Sequence, residues 1–186
     1  MKAHHWLHNP IVAAFVLVFV LCLPAGAQTA RLDALFAQLL TADAEESQTL
    51  EQEIWIEWSK SGSPAMDLLL ERGRNAMAEG VTDVAIDHFT ALIDHAPEFA
   101  EGWNARATAY YQAGEFGPSI ADIGHVLTLN PRHFGALAGL GAIFEELERP
   151  EQALEVYRAA LAIHPQQPGV LEAVERLQAL TQGQDL

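Results

Sequence analysis

The sequence predicts an all-α chain: an α-solenoid of three stacked helical hairpins, with a helical hairpin before them and a capping helix after them. Three observations carry this expectation. Pro97, Pro131 and Pro165 stand 34 residues apart, and each closes a stretch of helical character, at Asp83–Ala96, Pro118–Asn130 and Pro150–His164. The residue before a proline is pushed out of the α region, so each proline ends a helix. Side-chain size then repeats in the same register when copies are started at Met66, Ala100 and Phe134. The eighth position holds Gly73, Ala107 and Gly141 and the twentieth Ala85, Ser119 and Ala153, all small. The fourth holds Leu69, Trp103 and Leu137 and the twenty-fourth Phe89, Ile123 and Tyr157, all large. Small residues let two antiparallel helices approach, and the large ones fill the space around the contact. Gly80 and Gly114, one period apart, mark the turn between them. A fixed period of this length is the sequence form of a stacked supersecondary unit.

The elements follow in chain order. Residues 1–27 have the pattern of a secretory signal peptide: Lys2, an uninterrupted apolar run of 13 residues at Ile11–Leu23, the breaker Pro24, then Ala25-Gly26-Ala27 as a small-x-small cleavage site. The run is short for a membrane span, which needs about 20 residues; an uncleaved anchor is the alternative. Within residues 28–64, Thr29–Thr41 is expected to be a helix with Leu32, Leu35, Phe36, Leu39 and Leu40 on one face. A second helix should start at Asp43, whose carboxylate can cap it with Glu46 three residues on. It should bury Leu50, Ile54, Trp55 and Trp58 and leave Ile56 outside. The pair is expected to cap the array as a degenerate leading repeat, with the tryptophans as core rather than as a partner site. Ser61-Gly62-Ser63-Pro64 is the break before residues 66–165, which hold the three repeats 66–99, 100–133 and 134–165. Residues 166–186 supply a final amphipathic helix, Gln167–Gln182, with Val170, Leu171, Val174, Leu177 and Leu180 inward, and a frayed tail. An array needs such an end cap because its last repeat otherwise exposes an apolar face.

Composition narrows the chemistry. The 186 residues carry 25 Asp and Glu against 10 Lys and Arg, a formal net charge of −15. Such a surface repels nucleic acid and anionic lipid. The single cysteine, Cys22, lies in the signal segment, so the exported chain has no thiol for disulfides, nucleophilic catalysis or metal binding. His88, His95, His125, His133 and His164 show no ligand spacing, and His133 and His164 sit beside the repeat-ending prolines, where a polar residue is expected. Gly135, Gly139 and Gly141 fall inside a predicted helix and serve close packing, not phosphate binding. No metal, cofactor or catalytic constellation is expected. Arg72 and Arg106 share the seventh position of their copies, where they need acceptors or water; Asp87, Asp94 and Asp122 are the candidate partners for inter-helix ion pairs.

With its period, its small and large positions and its closing prolines, the stretch 66–165 resembles the tetratricopeptide repeat family, 34-residue helix–turn–helix units. The resemblance implies a right-handed solenoid whose first helices line a concave face with their second, fifth, ninth, twelfth and thirteenth positions. These are Asp67, Leu70, Arg74, Met77 and Ala78; then Glu101, Asn104, Thr108, Tyr111 and Gln112; then Gly135, Ala138, Ala142, Glu145 and Glu146. Arg74, Met77, Glu101, Asn104, Thr108, Tyr111 and Glu145 are the expected contact residues. The resemblance implies a non-enzymatic scaffold or adaptor, here exported to the periplasm or secreted. Its partner would be a protein or peptide with apolar anchors and some positive charge, not nucleic acid and, after signal cleavage, not a membrane. With Arg74 and Asn104 but no lysine on this face, a clamp for a C-terminal carboxylate is not expected. The alternative function is self-association through the solenoid ends or the N-terminal hairpin.

Overall fold

The structure, a computed structural model, describes residues 25–183. The expected signal peptide lies outside these residues, apart from its last three. Among the described residues nine helices follow one another and no strand occurs: α1 (Ala25–Leu39), α2 (Ala44–Trp58), α3 (Pro64–Ala78), α4 (Thr82–His95), α5 (Ala100–Gln112), α6 (Phe116–Leu129), α7 (Phe134–Glu146), α8 (Pro150–Ile163) and α9 (Pro168–Gly183). None of them is long and apolar enough to cross a membrane.

The pairs α3–α4, α5–α6 and α7–α8 form hairpins, and α4 on α5, α6 on α7 and α8 on α9 join them into one array. The packing follows the repeat positions. Phe89 and Tyr157 lie against the bare backbone of Gly73 and Gly141; a Cβ at either glycine would overlap the facing ring. In the middle copy Ala107 takes the small position, and Ser119 Oγ donates to its carbonyl at 2.7 Å. Phe89, Leu92, Val126, Ile143, Ala153 and Ala160 are completely buried along this seam. The turns also repeat. Gly80 and Gly114 both have φ +75°, and the residue after each, Val81 or Glu115, closes a six-to-one hydrogen bond onto Ala76 or Tyr110. The third turn keeps this bonding, Arg149 N–H to Phe144 O at 2.8 Å, by holding Glu148 at φ +56°. A side chain there costs about 1 kcal/mol relative to glycine.

Arg106 makes the expected inter-helix pair. Its Nε and one Nη reach the two oxygens of Asp122 at 2.7 and 2.9 Å, and the other Nη reaches Thr90 Oγ1 at 3.1 Å. This bonding raises the guanidinium pKa further, with Asp122 as the main cause. Arg72 differs from expectation: it is exposed, and no described carboxylate pairs with it. The reason lies in the twenty-third position, which faces the seventh across the hairpin and holds His88, Asp122 and Val156 in the three copies. Only the middle copy offers a carboxylate.

The ends differ from expectation in three respects. Asp43 caps α2, its Oδ1 accepting from Glu45 N–H and Glu46 N–H at 3.0 Å each. The α1–α2 pair, however, does not stack ahead of α3–α4, where Leu68, Val81 and Val84 are exposed. Its core of Leu35, Phe36, Leu39, Leu50, Ile54 and Trp58 closes instead around Phe134 at the start of α7, with Ile163 beside it. Aromatic contact explains the choice, because Phe36, Trp55 and Trp58 all meet the Phe134 ring, at 6.4, 5.9 and 5.0 Å between centroids. Leu40, expected inside, is 52% exposed, because α1 ends at Leu39 and Leu40 begins the turn. Leu180, also expected inside, is 55% exposed, one turn past the last buried position of α9, Leu177.

Candidate functional site

The first helices α3, α5 and α7 lie side by side, with α5 touching both neighbours. Most of the side chains expected on their concave face fall into two groups that share Asn104, one covered by α2 and one open.

The covered group centres on Glu101, at the start of α5 and 3% exposed. A buried carboxylate must be paired and hydrogen-bonded. Arg74 Nη2 reaches it at 2.6 Å, Asn104 Nδ2 at 3.2 Å, and His133 Nε2 at 3.2 Å. His133 Nδ1 accepts from Ala136 N–H at 3.0 Å and so caps α7. That leaves the imidazole proton on Nε2, which donates to Glu101. Trp58 lies flat on the other face of His133, 4.1 Å away with planes 17° apart. Arg74 also donates to Ser59 Oγ at the end of α2, at 3.1 Å. Arg74 and Asn104 thus commit donors to Glu101, an internal carboxylate.

The open group lies between the C-terminal half of α5 and α7. Asn104, Thr108 and Tyr111 on one side and Gly135 and Gly139 on the other line a cavity of about 90 Å³, floored by Ala107, Ile123 and Ile143. Thr108 is exposed and turns its hydroxyl to Asn104 O at 3.0 Å. Tyr111 is half-buried, its ring against Phe116 at the edge of the core cluster of Ile123 and Ile143. Gly139 leaves the cavity wall bare; a Cβ there would meet only Ile123 Cδ1, at 3.9 Å. Met77, on α3, packs on the Leu70–Phe89 cluster and is not part of this cavity.

Glu145 stands apart from both groups. Tyr157 Oη donates to it at 2.8 Å and Arg176 of α9 binds both its oxygens. The Arg176 guanidinium first, and the Tyr157 hydroxyl second, hold its carboxyl below the usual range. Burial and this carboxylate push the Tyr157 phenol up in turn. Glu145 therefore fastens the capping helix to the array, and Glu146 is the exposed carboxylate at that end.

The structure thus brings Arg74, Glu101 and Asn104 into one network, places Asn104, Thr108 and Tyr111 on one cavity, and sets Met77 and Glu145 elsewhere. Sequence reasoning missed His133, which it took for a polar residue beside a proline, and the openness created by Gly139. The signal for His133 was its place directly before a helix start, a capping position.

Comparison with known proteins bears on this arrangement. Models of the tetratricopeptide repeat match residues 70–123 and 134–177. A TPR repeat-containing protein of Rhizobium etli is 36% identical over 148 residues, spanning 79% of this chain and 72% of that protein. Among solved structures, the first TPR of Spaghetti (RPAP3), bound to the HSP90 peptide SRMEEVD, superposes with TM-score 0.59 at 26% identity, covering 62% of this chain and 93% of that one. The Sgt2 TPR domain from Aspergillus fumigatus matches in fold with TM-score 0.62 at 22% identity, covering 66% and 83%.

Proposed function

This chain belongs to the tetratricopeptide repeat family, and on that premise we propose that it is an exported, non-enzymatic interaction module that receives a segment of a partner protein on its concave face. The observation that carries the reading is the cavity between α5 and α7, where Thr108, Tyr111 and Asn104 face a glycine-bared helix. A slot of this kind takes one apolar anchor and offers hydrogen bonds at its edge. The RPAP3 domain holds an acidic HSP90 peptide. The present groove favours the opposite charge. Its Arg74 and Asn104 are bonded to Glu101, and the whole chain carries net charge −15. A segment with an apolar anchor beside Lys or Arg fits better than an acidic C-terminus. The setting proposed, the cell envelope, rests on the signal pattern of residues 1–27.

Gly139→Leu tests this. It fills the cavity, and replacing a helical glycine strengthens the helix by about 0.8–1 kcal/mol, so the array stays folded. Affinity capture from an envelope extract should retain a partner on the wild type and lose it on Gly139→Leu. A partner held equally by both would place the binding surface elsewhere.

A further inference from the structure

The concave face already holds a helix. We propose that its α7 end is a receptor for an amphipathic helix bearing two aromatic side chains three residues apart and a carboxylate one turn before them, and that α2 is its built-in occupant. The inference rests on the reading of the concave face as a binding surface and concerns a second seat on it, at the start of α7 beside the α5–α7 cavity, with a partner of its own.

The receptor side is built by the array alone. His133 is gripped from beneath, Nε2 to Glu101 and Nδ1 to Ala136 N–H, so the imidazole stands in position whether or not Trp58 covers it. Phe134 follows it at the first position of α7, completely buried, with the hairpin's core packed around its ring. Gly135 comes next, and its missing side chain is what Trp55 uses: a Cβ there would lie 2.7 Å from the indole. His164, at the end of α8, offers Nε2 at the far edge. A prearranged floor of this kind loses little entropy when it binds.

The occupant side has the matching pattern. Trp58 stacks on His133, Trp55 lies over Gly135 and perpendicular to the Phe134 ring, and Glu51, one turn before Trp55, accepts from His164 at 3.2 Å and from Trp55 Nε1 at 3.2 Å. Large aromatics at the centre of a contact carry most binding energy. The polar contacts at the rim are weak by comparison; the Arg132–Asp33 pair joining α1 to the array is about half-exposed on both sides. The hairpin has no place in the 34-residue register and is tied on by Ser61–Pro64, with Gly62 at φ +82°. It is held as a ligand is held, by side-chain anchors in a prepared site.

The test uses the full chain and a labelled peptide of residues 29–60. Trp55→Ala/Trp58→Ala removes the anchors of the internal helix and leaves the receptor intact. The peptide should bind this variant at least tenfold more tightly than it binds the wild type, where the site is filled. Adding Gly135→Leu, which occupies the indole seat on the receptor, should abolish binding while the helical circular-dichroism signal persists. Equal binding with and without Gly135→Leu, or no binding to the double variant, would overturn the proposal. So would loss of the helical signal in the double variant, which would make the hairpin part of the array's fold. Concentration-dependent dimers of the wild type with crosslinks from hairpin to a second copy's array would overturn the assignment of the occupant to its own chain. If the peptide fails while Gly139→Leu still loses the captured partner, the groove reading stands and this inference falls.

Discussion

The repeat array and the N-terminal hairpin are made of the same element, an amphipathic helix of 13 to 15 residues, yet they are placed by different rules. In the array each helix finds its partner at a fixed sequence distance, and the contact is specified twice, by a small residue and by the large one that faces it. Gly73 with Phe89 and Gly141 with Tyr157 repeat one solution. The hairpin has no such register. Phe36, Trp55 and Trp58 reach a single site on Phe134 and His133, about 75 to 100 residues along the chain, and they do so through aromatic side chains. Periodicity builds a cooperative body; anchors attach a separate one.

The largest expected effect separates the two. Phe89→Ala empties a completely buried site and should cost about 3–5 kcal/mol of array stability, read by denaturant unfolding. Trp58→Ala removes a still larger ring but should release the hairpin and leave the array's unfolding midpoint in place. A common loss in both variants would break the distinction.

Next in size is a pair of arginines at one frame position. Arg106→Ala leaves Asp122, 4% exposed, without its charge partner, and should cost about 2–4 kcal/mol. Arg72→Ala, on an exposed side chain that pairs with no described carboxylate, should stay within about 0.5 kcal/mol of wild type. The two glycines of α7 should differ in sign. Gly141→Ala forces a methyl into the Tyr157 ring and should cost about 1–3 kcal/mol, whereas Gly139→Ala meets only ordinary contact and should gain about 0.8–1 kcal/mol. Thermal unfolding of the four variants checks both contrasts.

The periodic part of the molecule was legible because each packing partner is itself a repeat position. The caps of α2 and the closing prolines were legible for a local reason, a side chain acting on its own neighbours. What was hidden depends on side chains that meet across long stretches. An apolar stripe on α2 says that Trp58 is buried, not that it is buried on His133. Glu145 sits at a groove position, yet Arg176, 31 residues on, draws it to the capping helix. Arg72 copies Arg106 in the frame, but the facing position changed from aspartate to histidine, and only the pair decides. The concave network was half-visible: the family pattern supplied Arg74, Glu101 and Asn104, and the structure supplied the fact that they satisfy each other.

The smallest expected effect is on acidification. Hydrogen bonding from His164, then from Trp55, holds the Glu51 carboxyl below its usual value of 4.5, against the opposing effect of burial. A depressed carboxylate stabilises the folded state above that value, and the contribution fades as the pH falls through the lower folded value. Because Glu51 joins α2 to α8, hairpin release should lead array unfolding below about pH 4.5, followed by tryptophan fluorescence against helical signal.

Native-state hydrogen exchange reads the hairpin and the array separately, amide by amide. The amides of α1 and α2 should exchange through a smaller opening than those of α4 to α8, and Trp58→Ala should lower protection in the hairpin alone. Protection lost together from α1 through α9 in that variant would contradict this, and would make the hairpin a working repeat of the array.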